Sequence, residues 1–162
     1  MDKIEWFILN YGYLAIFVSL FLGLIGLPVP DEVLMTTIGY YCSVGFLSTP
    51  VAILIATLGS FLGMVVSYFV GSKIGRPIIY RVGKWIGLTT KRLLRVEKWM
   101  MKFGYYTVTF GYFIPGFRHA ICYFCGISKI SLKKYMIFAF AGALIWSSFF
   151  ILIGKFIGVL NV

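Results

Sequence analysis

Gly26-Leu-Pro-Val-Pro-Asp-Glu32 interrupts a long apolar stretch, and Gly111-Tyr-Phe-Ile-Pro-Gly-Phe-Arg118 interrupts a second one in the same way. In each segment a glycine stands four residues before a proline, and an ionisable side chain follows that proline by two or three residues. Proline removes a backbone donor and glycine weakens a helix, so we expect a helix to break at each segment. The predicted break residues are Gly26, Pro28, Pro30, Gly111, Pro115 and Gly116.

The apolar limbs that follow the two breaks are short. Val33 to Phe46 offers about fourteen residues and Ala120 to Gly126 fewer, whereas a helix needs about 20 to cross the ~30 Å hydrocarbon core. We therefore predict two re-entrant hairpins, each of which enters the membrane and returns to the same side. A longer apolar segment follows each hairpin, Val51 to Val70 or Tyr135 to Leu160, and is predicted to cross completely.

The composition excludes an ordinary soluble domain. Of 162 residues, 60% are hydrophobic and 12% charged, against roughly 45–50% apolar and ~25% charged in soluble domains. The length suits a few membrane helices and leaves no room for a large soluble domain. We predict a single all-α integral membrane domain over residues 1–162.

The two halves have the same order of elements. Repeat 1, about residues 11–72, and repeat 2, about residues 103–160, are each a broken hairpin followed by one span. The first hairpin is expected to start outside and the second inside. This order predicts an inverted-topology repeat, in which discontinuous helices of both halves meet near the bilayer midplane and form a binding site.

Positive charge is concentrated between the repeats. The chain has fifteen Lys and Arg against five Asp and Glu, and nine of the fifteen lie between Lys73 and Lys102. Such clusters border membrane helices on the cytoplasmic side, where they bind anionic lipids. We predict that residues 73–102 form a cytoplasmic amphipathic connector of a plasma-membrane protein. Nucleic acid is not the expected partner, because no nucleic-acid-binding motif accompanies the charge.

Glu32 and Arg118 are the main candidates for a substrate-binding site. Charged side chains at membrane depth cost about 2.5–3.5 kcal/mol on insertion scales and usually face a cavity with a partner. For Arg118 the alternative is a side chain that reaches back to the headgroups. For Glu32 and its neighbour Asp31 the alternative is stabilisation of a helix N-terminus, which is the favoured interpretation of Asp31.

His119 and Tyr112 complete the set of candidate substrate-binding residues. His119 can exchange protons or contact phosphate, but a lone histidine is more often a hydrogen-bonded packing residue. Tyr112 offers a hydroxyl to the site, with an interfacial aromatic role as its alternative. A guanidinium suits phosphate oxygens and a carboxylate suits an ammonium, so the combination fits a zwitterionic headgroup such as phosphoethanolamine.

No metal, cofactor or enzymatic chemistry is predicted. Cys42, Cys122 and Cys125 all lie in apolar stretches, and no second pair of ligands accompanies the Cys122-x-x-Cys125 spacing. We interpret the three thiols as packing groups. One histidine and five acids include no evident nucleophile and base pair, so we expect that the protein is not an enzyme.

The sequence resembles the DedA family, whose members are also called SNARE-associated or VTT-domain proteins. The resemblance extends over roughly Gly12 to Gly158. The similar segments are Gly26 to Glu32, the glycine-containing run Gly59 to Arg76, and Phe110 to Ser128, with Gly142 and Trp146 beyond. The resemblance implies opposed re-entrant hairpins and movement of lipids between leaflets, with polyprenyl phosphate and phosphatidylethanolamine as candidate cargoes.

Two positions depart from the pattern of that family. Members often have arginine where Tyr112 stands, and many have an acid where Met64 stands. A site with one arginine is less suited to a phosphate monoester, so we favour a phosphatidylethanolamine flippase or scramblase over an undecaprenyl-phosphate flippase. The alternatives from other classes are a proton- or ion-coupled small-molecule exporter and a non-transporting scaffold that uses residues 73–102.

Overall fold

The structure, a computed structural model, describes residues 3–25, 30–82, 89–114 and 117–160. Every regular element in these ranges is helical. The elements are α1 (Lys3–Ile25), α2 (Asp31–Ser43), α3 (Thr49–Val82), α4 (Thr90–Phe103), α5 (Tyr106–Phe110), a 3-10 turn (Gly111–Phe113), α6 (Phe117–Ile127) and α7 (Leu132–Leu160).

The first predicted break separates α1 from α2. The first helix ends at Ile25 and the second begins at Asp31. Pro30 directly precedes α2. Proline has no backbone N–H, and an N–H at this position would find no acceptor within the helix. Gly26 and Pro28, also predicted as break residues, lie outside the described residues.

The second predicted break separates α5 from α6. The 3-10 turn begins at Gly111, and α6 begins at Phe117. Pro115 and Gly116 lie outside the described residues. Both breaks are therefore followed by a short helix whose first turn contains the ionisable residues singled out in the sequence.

The helices differ in length as the apolar pattern predicts. With 13 residues in α2 and 11 in α6, these helices are about 20 Å and 16 Å long, less than a ~30 Å hydrocarbon core. By contrast, Thr49–Lys73 of α3 and Leu132–Leu160 of α7 are long and apolar enough to cross a membrane. The apolar segment Tyr11–Ile25 of α1 is shorter than these two.

The third helix extends beyond the apolar segment that predicted it. The predicted span was Val51 to Val70, but α3 continues to Val82. Loss of apolar character marks where a helix leaves the lipid, whereas the backbone hydrogen bonds of a helix continue in water.

The two halves exchange their short helices. Helix α2 packs along α7 and α6 packs along α3, so the second limb of each hairpin lies on the long helix of the other half. The first limbs remain within their own halves, where α1 packs on α3 and α5 on α7. The two long helices also contact each other directly.

Glycines permit the close approach of the exchanged helices. A Cβ at Gly39 of α2 would collide with the backbone of Ile151 and Gly154 in α7. In the same way, a Cβ at Gly126 of α6 would collide with the backbone of Tyr68 and Ser72 in α3. Close approach through small residues provides the dense packing that holds membrane helices together.

Helix α4 is amphipathic and is joined to the second hairpin. Val96 is fully buried, whereas Lys91 and Lys98 are exposed. The Trp99 ring packs against the Phe117 ring at a centroid distance of 5.2 Å. The Thr107 hydroxyl donates to the Trp99 carbonyl at 3.0 Å, which fixes α4 to α5.

Candidate functional site

Arg118 forms a buried ion pair with the opposite half of the chain. It lies in the first turn of α6 and is 4% exposed, and its Nη2 donates to Oδ2 of Asp31. Asp31 is the first residue of α2 and is fully buried. The two residues are 87 positions apart, so the short helices of the two hairpins bring the opposite charges together.

Glu32 provides a second, more exposed carboxylate. Its Oε1 lies 3.6 Å from Nη1 of Arg118, and its side chain is 32% exposed. Arg118 is therefore in contact with one buried carboxylate and near one that is open to its surroundings.

This arrangement changes the interpretation of Asp31 and Arg118. The position of Asp31 in the first turn fits the predicted helix N-terminal role, but its full burial and ion pair show a second role that this interpretation left out. Arg118 is buried against Asp31 and does not reach outward to the headgroups. A buried charge requires a partner, and the partner is remote in sequence.

Trp146 of α7 covers one face of the guanidinium. The Cζ atom of Arg118 lies 4.7 Å from the centre of the Trp146 ring, a distance at which a cation is attracted to the aromatic face. Tyr112 packs beside Trp146 at a ring distance of 5.8 Å. A Cβ at Gly142 would lie 2.6 Å from the Tyr112 ring, so this glycine leaves the space that Tyr112 occupies.

Trp146 was not predicted as a site residue. Its indole is completely buried, although tryptophan in membrane proteins is enriched at the two interfaces. Its place near the middle of the last apolar segment is the sequence signal that could have identified it.

Several polar atoms of this site have no hydrogen-bond partner among the described residues. They are Oδ1 of Asp31, Nε and Nη1 of Arg118, the Tyr112 hydroxyl and Nε1 of Trp146. An unpaired buried group costs about 1–3 kcal/mol, and more when it is charged. These atoms can therefore form further hydrogen bonds.

His119 lies at the edge of the site and faces the end of α1. Its Nδ1 is 3.4 Å from the Leu24 carbonyl oxygen, and the ring is partly buried. The Leu24 carbonyl also accepts from Ser67, and the Ile25 carbonyl accepts from the Tyr123 hydroxyl at 2.9 Å. Side chains from α3 and α6 thus satisfy carbonyls at the end of α1, which would otherwise lack donors.

The three cysteines are all buried, as expected for packing groups. Within the described ranges, no three His, Cys, Asp or Glu side chains are grouped so that they could hold a metal ion.

Comparison with known proteins identifies the family. The model described as the VTT domain matches residues 11–156. The chain is 51% identical to the uncharacterized membrane protein YbfM of Bacillus subtilis (strain 168), over 100% of both chains. It is 32% identical to undecaprenyl phosphate transporter A of Staphylococcus aureus (strain NCTC 8325 / PS 47), over 92% of this chain and 75% of that protein.

A second protein with that name, from Bacillus subtilis (strain 168), is 27% identical over 98% of this chain and 78% of its own. No solved structure matches the chain. The matches extend over almost the whole sequence, including both breaks and both long apolar helices. The chain is a membrane protein that belongs to the VTT-domain family, also called the DedA family.

Proposed function

We propose that this protein moves a phospholipid, with phosphatidylethanolamine as the preferred cargo, between the leaflets of the plasma membrane. The observation that carries the proposal is the buried Arg118, which contacts Asp31 and lies near Glu32 of the other hairpin. A guanidinium binds phosphate oxygens through two parallel hydrogen bonds, and the two carboxylates can hold an ammonium. The pair of charge signs matches the phosphoethanolamine headgroup.

Exchange of ionic partners provides a mechanism for binding. The headgroup phosphate competes with Asp31 for Arg118, while the released carboxylates bind the ammonium. Glu32 is the more exposed of the two acids, so the ammonium meets it first. The lipid tails remain in the bilayer throughout, and only the headgroup enters the space between the hairpins.

The contacts of the described residues support an inverted repeat. The 87-residue separation of Asp31 and Arg118 also relates Thr36 to Tyr123 and Gly39 to Gly126. These residues make equivalent contacts: Thr36 lies against Gly154 as Tyr123 lies against Gly71. Such a repeat lets the protein alternate between two similar conformations, each open to one leaflet.

In the proposed topology, residues 73–102 lie in the cytoplasm, as their Lys and Arg content predicts. The exposed Lys91 and Lys98 of α4 are then positioned to bind anionic lipids of the inner leaflet. The long helices α3 and α7 cross the membrane in opposite directions, and the hairpins enter from opposite sides. Rocking of the hairpins on α3 and α7 presents the headgroup alternately to each leaflet.

A leaflet-distribution assay in cells that lack the protein tests the proposal. Aminophospholipid and polyprenyl phosphate are measured at the cell surface with headgroup-specific probes, after complementation with wild type, Glu32→Gln or Glu97→Gln. We expect wild type and Glu97→Gln, a control on α4, to restore the aminophospholipid distribution and Glu32→Gln to restore it poorly. Unchanged aminophospholipid in the deletion strain would reject the proposal.

Undecaprenyl phosphate is the second candidate cargo. The names of the relatives from Staphylococcus aureus and Bacillus subtilis favour it. The same assay separates the two, because a polyprenyl-phosphate carrier would change the surface level of that lipid and leave the aminophospholipid unchanged.

A further inference from the structure

Two uncharged hydrogen-bond donors lie beside Arg118 without an acceptor. The Tyr112 hydroxyl and Nε1 of Trp146 form no hydrogen bond to any described residue, and both side chains are fully buried. They are contiguous with Arg118, whose Cζ lies 4.7 Å from the Trp146 ring, while that ring lies 5.8 Å from the Tyr112 ring.

Elsewhere, most buried hydroxyls on α3 and α7 are paired. The Tyr135 hydroxyl donates to the Met64 carbonyl at 3.0 Å, and the Ser67 hydroxyl donates to the Leu24 carbonyl at 2.8 Å. Thr57 and Ser147 bond each other at 2.8 Å. Apart from Ser60 on α3, the unpaired buried side-chain atoms of the described residues all belong to the site around Arg118. Buried polar groups in folded proteins nearly always have a hydrogen-bond partner, so each unpaired group needs an explanation.

The unpaired groups are mostly donors. An indole N–H and a guanidinium N–H can only donate, and a tyrosine hydroxyl donates readily. Asp31 occupies Nη2 of Arg118, while Nε and Nη1 have no hydrogen-bond acceptor. A group that accepts several hydrogen bonds and carries negative charge matches this set, and a phosphate group is such an acceptor.

We propose that Tyr112 and Trp146 bind the phosphate of the transported lipid together with Arg118, an inference that rests on the proposed function. The three residues lie on different elements: Tyr112 on the 3-10 turn, Trp146 on α7 and Arg118 on α6. A phosphate held by all three joins the second hairpin to the long helix of its own half. Parting of these elements admits the phosphate, and its oxygens then accept hydrogen bonds from Arg118, Tyr112 and Trp146.

Tyr112→Phe tests the inference, with Tyr135→Phe as the matched control. Both tyrosines are fully buried and lose only a hydroxyl. In mild detergent without added lipid, Tyr112→Phe should unfold at the wild-type temperature or above, because it removes an unpaired group. Tyr135→Phe should unfold at a lower temperature, because the Met64 carbonyl loses its donor.

Phospholipid binding should be weakened by Tyr112→Phe and not by Tyr135→Phe, the reverse of their expected effects on stability. Phosphatidylethanolamine added to the micelles should raise the unfolding temperature of wild type, and Tyr112→Phe should bind it about tenfold more weakly. Trp146→Phe, which keeps an aromatic face but lacks the N–H, should also bind weakly, whereas Trp99→Phe and Tyr135→Phe should keep wild-type affinity. Inorganic phosphate in a parallel titration distinguishes a lipid phosphate from free phosphate, and we expect the lipid to bind far more tightly.

Two results would overturn the inference: destabilisation of Tyr112→Phe to the same degree as Tyr135→Phe, or wild-type affinity of Tyr112→Phe and Trp146→Phe for phosphatidylethanolamine. If Arg118→Lys loses lipid binding while these two variants keep it, the inference fails and the proposed function stands. If Arg118→Lys binds and moves lipid normally, the proposed function fails.

Discussion

Arg118 is held by electrostatic contacts on two sides. Asp31 pairs with its edge, and Trp146 covers its face. The removal of two charges from their aqueous surroundings costs several kcal/mol per ion, so a buried pair contributes little net stability even though breaking it is costly. In the proposed function, this pair is retained because Arg118 binds the lipid headgroup.

Asp31→Asn should destabilise the protein far more than Glu32→Gln. The first change leaves Arg118 buried without its closest counter-charge, at a cost of up to about 3–5 kcal/mol. Glu32 is one-third exposed and its carboxylate is 3.6 Å away, so its neutralisation should cost no more than about 1 kcal/mol. Unfolding of the purified variants in mild detergent gives both values, and equal losses would show that Asp31 is not the principal partner.

Glu32 and Arg118 were predicted from the sequence to meet between the two halves, but Asp31 was not predicted as the principal partner of Arg118. Breaks followed by Glu32 and Arg118 are visible as local patterns, and the rule that charges at membrane depth need partners applies to them directly. Asp31 was interpreted as a residue that stabilises the N-terminus of its own helix. The local sequence pattern contains no information on its contact with Arg118, 87 positions away. Trp146 lacks a local signal except for its depth in an apolar segment.

At the scale of elements, exchanged short helices hold the molecule together. Helix α2 contacts α7 through Gly39 and Gly154, and α6 contacts α3 through Gly126 and Gly71. These contacts place the first turns of α2 and α6, which carry Asp31 and Arg118, where the charges can meet. Exposed apolar side chains such as Leu54 and Ile137 cover the outer faces of the long helices, where lipid tails can solvate them.

Gly39→Ala and Gly126→Ala should each destabilise the protein by about 1–3 kcal/mol, because the added methyl meets backbone atoms that cannot rotate away. The two losses should be similar, since the contacts are equivalent. Thr37→Ala, on the exposed side of α2, is the control and should change stability by less than about 0.5 kcal/mol. Glycine variants as stable as this control would contradict the packing described.

Apolar length predicted the helix types more reliably than their ends. The short limbs and the two long apolar helices follow from the number of consecutive apolar residues, because lipid imposes that length. The continuation of α3 to Val82 could not be predicted from apolar length. Outside the lipid the helix is held by backbone hydrogen bonds, which do not depend on hydropathy.

At the scale of the whole molecule, the two halves are related by exchange. Each half contributes a short helix that packs on the long helix of the other half, and the ion pair joins the equivalent first turns of these two short helices. The order of elements in the sequence predicted an inverted repeat, but not the exchange of the short helices. The contacts that support it depend on three-dimensional packing and could not be derived from the order alone.

Cysteine labelling should show both ends of the second hairpin on the same side of the membrane. Lys91→Cys before the hairpin and Ser131→Cys after it should react with an impermeant maleimide only after the cells are permeabilised. Ser48→Cys, between α2 and α3, should react in intact cells. All three positions are exposed and the native cysteines are buried, which keeps background labelling low. Labelling of Lys91→Cys and Ser131→Cys from opposite sides would exclude a re-entrant second hairpin.

In the proposed function, a guanidinium between two carboxylates moves a phospholipid headgroup across the membrane. The rate of phosphatidylethanolamine translocation in liposomes tests it most directly, measured for wild type, Arg118→Lys and protein-free vesicles. Lysine keeps the charge but cannot form the two parallel hydrogen bonds of a planar guanidinium. The translocation rate of Arg118→Lys should therefore be at least about tenfold lower than that of wild type, the factor expected for loss of one charge-assisted hydrogen bond. A wild-type rate no faster than protein-free vesicles, or an Arg118→Lys rate equal to wild type, would contradict the claim.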